Sequence, residues 1–206
     1  MPTFAVQVCK FACTMDNLDL LRETIRNFQT VGAVAFSSKF LVKKMTASVD
    51  FERARCIVEL GTGNGCITRS LLRQMHPKAS LLSFEINERF YEMVQMQISD
   101  KRLSLICDSA ERLGSYLPLQ SKKKDSKADY IISSLPLVAL PKQVEENVLR
   151  AVRENLKPNG YFIQYSYSTI QLKKFEQLFG EPNVKIKFTA LNLPPAFVYI
   201  CHNVNS

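Results

Sequence analysis

The stretch "VELGTGNG", Val58 to Gly65, decides the fold. The β-branched run "RCIVEL" ends at Gly61, and further glycines stand at 63 and 65. "CITRSLLRQM" then sets Ile67, Leu71, Leu72 and Met75 at helical spacing. Strand, glycine turn and helix in that order predict a ligand site. Glycines let the backbone turn tightly and approach a ligand, and the helix start supplies unpaired N–H groups. The dinucleotide fingerprint is GxGxxG, whereas the spacing here is GxGxG.

Working outward, strand and helix keep alternating. "ASLLSFE" reads as a second strand, "NERFYEMVQMQI" as a helix, "LSLIC" as a third strand and "ADYIISS" as a fourth. "QVEENVLRAVRENL" reads as a helix stopped by the turn "KPNG". "YFIQYSY" is a fifth strand, and "STIQLKKFEQLFG" a helix ending on Gly180. "VKIKFTAL" and "AFVYICH" have no helix between them, which predicts an antiparallel hairpin at one edge. The expected fold is α/β: a Rossmann-like doubly wound sheet of about seven strands, mostly parallel, with an antiparallel C-terminal hairpin and N-terminal helices. Residues 1–54 stand apart as an N-terminal amphipathic helical segment, and residues 55–206 form the α/β domain.

Bulk properties agree with a globular protein. The 206 residues are 46% hydrophobic and 22% charged. No run approaches the ~20 apolar residues of a membrane span. "FAVQVCKFAC" carries Lys10 and shows no convincing cleavage site, so it reads as a short helix or arm and the chain as cytoplasmic. Cys9, Cys13, Cys56, Cys66, Cys107 and Cys201 form no CxxC pair, and His76 and His202 are the two histidines. No metal centre is expected, and the cysteines read as reduced small apolar residues.

The net charge of +8 suits an anionic partner: nucleic acid, an anionic membrane or an acidic substrate. Lys122 to Lys124 form either a solvated loop or an electrostatic contact. In "NLDLLRETIRNFQ", Leu18, Leu21, Ile25 and Phe28 share one helical face. "SKFLVKKM" sets Phe40, Leu41 and Met45 beside Lys39, Lys43 and Lys44. These stretches either cap the core or lie on an anionic bilayer.

The GxGxG spacing preceded by Glu59 resembles motif I of class I S-adenosylmethionine-dependent methyltransferases. The second strand ends in Glu85, 20 residues after Gly65, where an acid accepts from two ribose hydroxyls. Asp108 in "CDSA" matches the adenine-amine contact, and "NLKPNGYFIQ" the family's late motif. The resemblance implies S-adenosylmethionine as cofactor. It would be held by Glu59, Gly61, Thr62, Gly63, Gly65, Glu85, Ile86, Asp108, Ser109 and Ala110.

Within that class, "VGAVAFSSKFLVKKM", "SSLPLVALP" with "FIQYSYS", and "NLPPAFVYI" resemble the bacterial phospholipid N-methyltransferase family. The likeness runs from about residue 20 to residue 201. Members methylate phosphatidylethanolamine, relatives act on ornithine lipid, and the family docks on membranes through an N-terminal amphipathic helix. This chain departs at Phe36, where members commonly have proline, and in "GTGNG", where they have "GPGTG". The implied protein is a peripheral enzyme of the inner membrane face, monomeric in solution. Its partners are an anionic surface, contacted by Lys39, Lys43 and Lys44, and an amine-bearing lipid.

Two other readings stand beside it. Adenine N6-methyltransferases of nucleic acid, rRNA enzymes among them, carry an amide or acid and a stacking aromatic in the fourth-strand loop. Here that loop reads Ser134, Leu135, Pro136, Leu137, without either. The other reading is a non-catalytic cofactor-binding adaptor.

Methyl transfer needs a neutral amine lone pair aligned with the sulfonium methyl. No histidine is placed to take the amine's proton. Tyr165, Tyr167 and Ser134 are the candidate catalytic residues, the tyrosines offering cation–π contact or else packing in the core. Leu135, Pro136, Asn192 and Pro194 are the candidate substrate loops, with a plain hairpin turn as the other reading of the last two.

Overall fold

The computed structural model describes residues 39–121, 126–192 and 194–204. The amphipathic helix expected over Leu18 to Phe28, and Lys122 to Lys124, lie outside them. Helix α1 is Lys39–Thr46, followed by β1 (Cys56–Leu60), α2 (Cys66–Gln74), β2 (Ser80–Phe84), α3 (Glu88–Gln97) and β3 (Leu103–Ile106). Next come α4 (Leu113–Ser121), β4 (Ala128–Ser133), α5 (Lys142–Asn155) and β5 (Leu156–Ser166). Helix α6 (Leu172–Phe179), β6 (Val184–Thr189) and β7 (Ala196–His202) complete the chain.

The sheet has seven strands in the order β3-β2-β1-β4-β5-β7-β6. β1 to β5 are parallel, and β7 runs antiparallel between β5 and β6. The strand order reverses between β1 and β4, the crevice where doubly wound sheets bind ligands. Successive strand residues face opposite sides. Val58 and Leu60 therefore join Leu113, Val148 and Phe175 in one core layer. Ile57 instead joins Leu41, Met45 and Leu71 in the other. Val49 and Ala54 belong to that second layer too, so the segment from Lys39 to residue 54 packs directly on the sheet.

Two local features differ from expectation. "KPNG" is not a turn ahead of β5 but its first part. Asn159 adopts φ 61, and the pairing of β4 with β5 shifts register between Ala128 and Tyr130. Asn203 holds this bulge: the Asn159 amide donates to its carbonyl, and its side chain donates to the Leu156 and Lys157 carbonyls. Helix α4 escapes a pattern search because Pro118 interrupts it, yet Leu113 and Leu117, one turn apart, are fully buried. In α1 the buried stripe is Leu41, Val42, Met45 and Thr46, which leaves Phe40 54% exposed beside the lysines. No helix among the described residues is long and apolar enough to cross a membrane.

Candidate active site

The loop after β1 lies against two other strand ends. The Gly61 and Thr62 amides donate to the Phe84 carbonyl at the end of β2. Ser134, just past β4, donates its hydroxyl to the Gly61 carbonyl at 2.5 Å. Gly61 has φ +82, and a Cβ there would sit 2.9 Å from Ser134 Oγ. Only glycine fits this approach without strain. At Gly63 the opposite holds: a Cβ would meet nothing within 4 Å, so the bare backbone faces open space beside the start of α2.

Glu85 follows β2 and is buried. One oxygen accepts from the Gly63 amide and the other from the Asn87 amide, both at 2.8 Å. Burial raises its pKa, against the pull of those amides. Each oxygen keeps a lone pair for a further donor.

Glu59 is also buried and lies deeper. It accepts from Thr68 at 2.8 Å and Ser83 at 2.6 Å, and Ser83 shares a 2.5 Å hydrogen bond with Thr62 of the glycine loop. Desolvation pushes its carboxyl up to about 7. Its Oε1 has no hydrogen-bond partner among the described residues.

Asp108 closes the far side. It accepts from Tyr116 at 2.6 Å, from the Ser109 amide at 2.7 Å, and pairs with Arg112 at 2.9 Å. With Ile86, Ser109, Ala110, Gly61 and Phe84 it lines a narrow cleft whose other wall is Leu135. The sequence pattern shows neither Tyr116 nor Arg112 at this point, because both belong to the α4 region that the pattern misses.

A second pocket, of about 240 Å³, begins at Leu135. Residues 135–139, 165–168 and Gln171 line it. "LPLVA" includes a 3-10 turn over Leu137–Ala139 that lays the apolar segment along the pocket wall. Opposite, the Tyr165 and Tyr167 rings meet edge to face with centroids 5.6 Å apart. Both rings pack against the second core layer, and burial raises the Tyr165 pKa. Val138, 54% exposed, and Ile170, 72% exposed, stand on and beside the lining.

The other expected site residues fall elsewhere. Ser134 ties the two strand-end loops together and is not in the pocket lining. Asn192 is buried and donates to the Pro194 carbonyl at 2.7 Å, which stiffens the β6–β7 turn. Lys39 and Lys43 are exposed, whereas the Lys44 ammonium donates to the Phe188 carbonyl at 2.7 Å. Gln171 and Gln164 went unread in the sequence, since no motif marks them.

The glycine loop, Glu85 and the narrow cleft together carry the groups an adenosyl ligand calls for: apolar surface from Ile86, Ala110 and Leu135, a fixed carboxylate at Glu85 and open space over the Gly63 backbone. Residues 57–160, half of the chain, match the methyltransferase domain family. The chain belongs to this methyltransferase family. The methyltransferase is 26% identical to the ornithine lipid N-methyltransferase of Singulisphaera acidiphila, over 84% of this chain and 89% of that one. The fold is shared with solved methyltransferases at low identity. The 1,6-didemethyltoxoflavin-N1-methyltransferase of Burkholderia thailandensis, solved with S-adenosylhomocysteine, superposes with a TM-score of 0.64. It is 11% identical, over 95% of this chain and 92% of that one. The precorrin-6y C5,15-methyltransferase of Geobacter metallireducens gives 0.63 at 11% identity, over 81% and 90%.

Proposed function

We propose that this methyltransferase moves methyl groups from S-adenosylmethionine to the head-group amine of a membrane lipid, of the phosphatidylethanolamine or ornithine-lipid type. The observation that carries the reading is the apolar, tyrosine-walled pocket that shares Leu135 with the cofactor cleft. A flipped base would want an amide or acid and a stacking ring from the β4 loop. That loop instead supplies Leu135, Pro136 and Leu137. The lipid N-methyltransferase relative supports the same substrate class.

S-adenosylmethionine supplies an activated methyl on a sulfonium. Glu85 would hold the ribose, Asp108, Ser109 and Ala110 the adenine, and the Gly61–Gly65 backbone the remainder. An ammonium entering the pocket loses hydration, which favours its neutral, nucleophilic form. Transfer then places positive charge on the nitrogen, and the Tyr165 and Tyr167 ring faces stabilise it. At the pocket mouth, Val138 and Ile170 offer apolar surface to acyl chains. The exposed pair Lys39 and Lys43, with Phe40 between them, would rest on an anionic inner membrane surface.

The test uses purified protein, methyl-labelled S-adenosylmethionine, and anionic vesicles carrying phosphatidylethanolamine or ornithine lipid, with rRNA in parallel. Label is expected in lipid, and the protein is expected to sediment with the vesicles. Label in rRNA and none in lipid would overturn the reading.

A further inference from the structure

Gln171 lines the acceptor pocket and Gln164 is bonded to two residues of that lining; the side-chain carbonyl oxygen of each is buried and has no partner among the described residues. Gln171, at the start of α6, is 5% exposed and lines the pocket. Its orientation is forced. Nε2 donates to Glu145 Oε1 at 2.9 Å, and the other Glu145 oxygen accepts from Lys174 at 2.5 Å. A carboxylate only accepts, so the amide nitrogen must face it and Oε1 is left over. Gln164, on β5, is 1% exposed. Its Nε2 donates to the carbonyls of Leu135, at 3.0 Å, and Tyr165, at 2.5 Å, both residues of the pocket lining. Two carbonyl acceptors fix this amide as well.

A buried acceptor without a donor is costly, and such groups are rare away from functional sites. Here there are two, one on a residue of a largely apolar pocket lining and one on a residue bonded to that lining. A ligand that satisfies them must bring N–H or O–H donors and no competing anion.

We propose that Gln171 Oε1, together with Gln164 Oε1, accepts hydrogen bonds from the N–H groups of the substrate's neutral primary amine, and thereby limits how many methyl groups are added. This rests on the lipid-amine reading above. A neutral primary amine has one lone pair and two N–H bonds. With the lone pair directed at the sulfonium methyl, two N–H bonds remain for two acceptors. As the N–C bond forms, the C–S bond breaks and its electron pair stays on sulfur. The product is a secondary ammonium, which releases a proton to solvent. Each round replaces one N–H by a methyl group. A monomethylated amine therefore satisfies one acceptor, and a dimethylated amine satisfies neither. The first transfer is favoured and the later ones lose ground stepwise.

The experiment measures kcat/KM on phosphatidylglycerol vesicles carrying phosphatidylethanolamine, its monomethyl derivative or its dimethyl derivative. The wild-type protein is expected to prefer the primary over the dimethylated amine by about tenfold or more, and to accumulate monomethyl product. Gln171→Leu removes the acceptor and is expected to shrink that preference about tenfold, mainly by slowing the primary amine. A merely structural role would lower all three rates together, and that result overturns the proposal. Should Gln171→Leu fail to fold, Glu145→Gln frees the amide to turn over and is expected to flatten the preference in the same direction. A wild-type protein with equal activity on all three lipids overturns this proposal alone. One that methylates no lipid amine overturns the lipid reading with it.

Discussion

On the β1–β3 side of Leu135 the cleft is a lattice of hydrogen bonds. Glu85 grips two backbone amides, Asp108 takes three donors, and Glu59 reaches the glycine loop through Ser83. On the β4–β5 side the walls are leucine, proline, valine and tyrosine, with few polar atoms. The first side suits an invariant polar ligand whose donors sit at fixed points. The second suits a greasy ligand whose shape varies but whose reacting atom does not. On the proposed reading, preorganised hydrogen bonds would hold the donor group, and shape and ring faces the acceptor.

The largest expected effect tests the lattice. Glu85→Ala strips the Gly63 and Asn87 amides of their acceptor and removes the carboxylate proposed to hold the ribose. Calorimetric titration is expected to show a loss of S-adenosylmethionine affinity of about a hundredfold, on the order of 3 kcal/mol. Retained affinity would mean that the lattice serves the loop alone.

Glu59 tests the same side through pH. Its carboxyl rises from the usual 4.5 to about 7, so between those values the folded protein holds a proton that the unfolded chain has released. Stability from this group is full below about pH 4.5, falls as pH rises to about 7, and is level above. The loss is on the order of 3 kcal/mol. Glu59→Gln is expected to abolish that fall, seen as a flatter Tm against pH than wild type.

The acceptor side is expected to respond more mildly. Tyr165→Leu keeps the apolar volume but removes a ring face. It is expected to lower kcat/KM for the lipid about tenfold while cofactor affinity stays within twofold. A matching loss of cofactor affinity would show that the two sides are not separate.

The two sides also differed in how far the sequence exposed them. The alternation of strand and helix was legible because β1, β2 and β4 bury both faces and read as short, largely apolar runs. Glu85 was legible because an acid at a strand end keeps a fixed distance from the glycine loop. Helix α4 was not, since Pro118 masks a stripe that rests on Leu113 and Leu117. "KPNG" misled because its turn chemistry serves a bulge whose partner, Asn203, lies far along the chain. Gln171 was invisible for a deeper reason. Its meaning comes from Glu145 fixing the amide and from the β4 loop lying opposite, and neither is a local property.

Leu135 sits where both ligands would press. Its carbonyl is held by Gln164 on β5, and the residue before it is tied to Gly61. The wall between donor and acceptor is thus one short segment of chain anchored at both ends. Thermodynamic reciprocity then applies to it. Whatever factor a bound cofactor adds to lipid affinity, a bound lipid must return in full to the cofactor. A vesicle surface carrying substrate would in this way also govern how tightly the enzyme keeps its methyl donor.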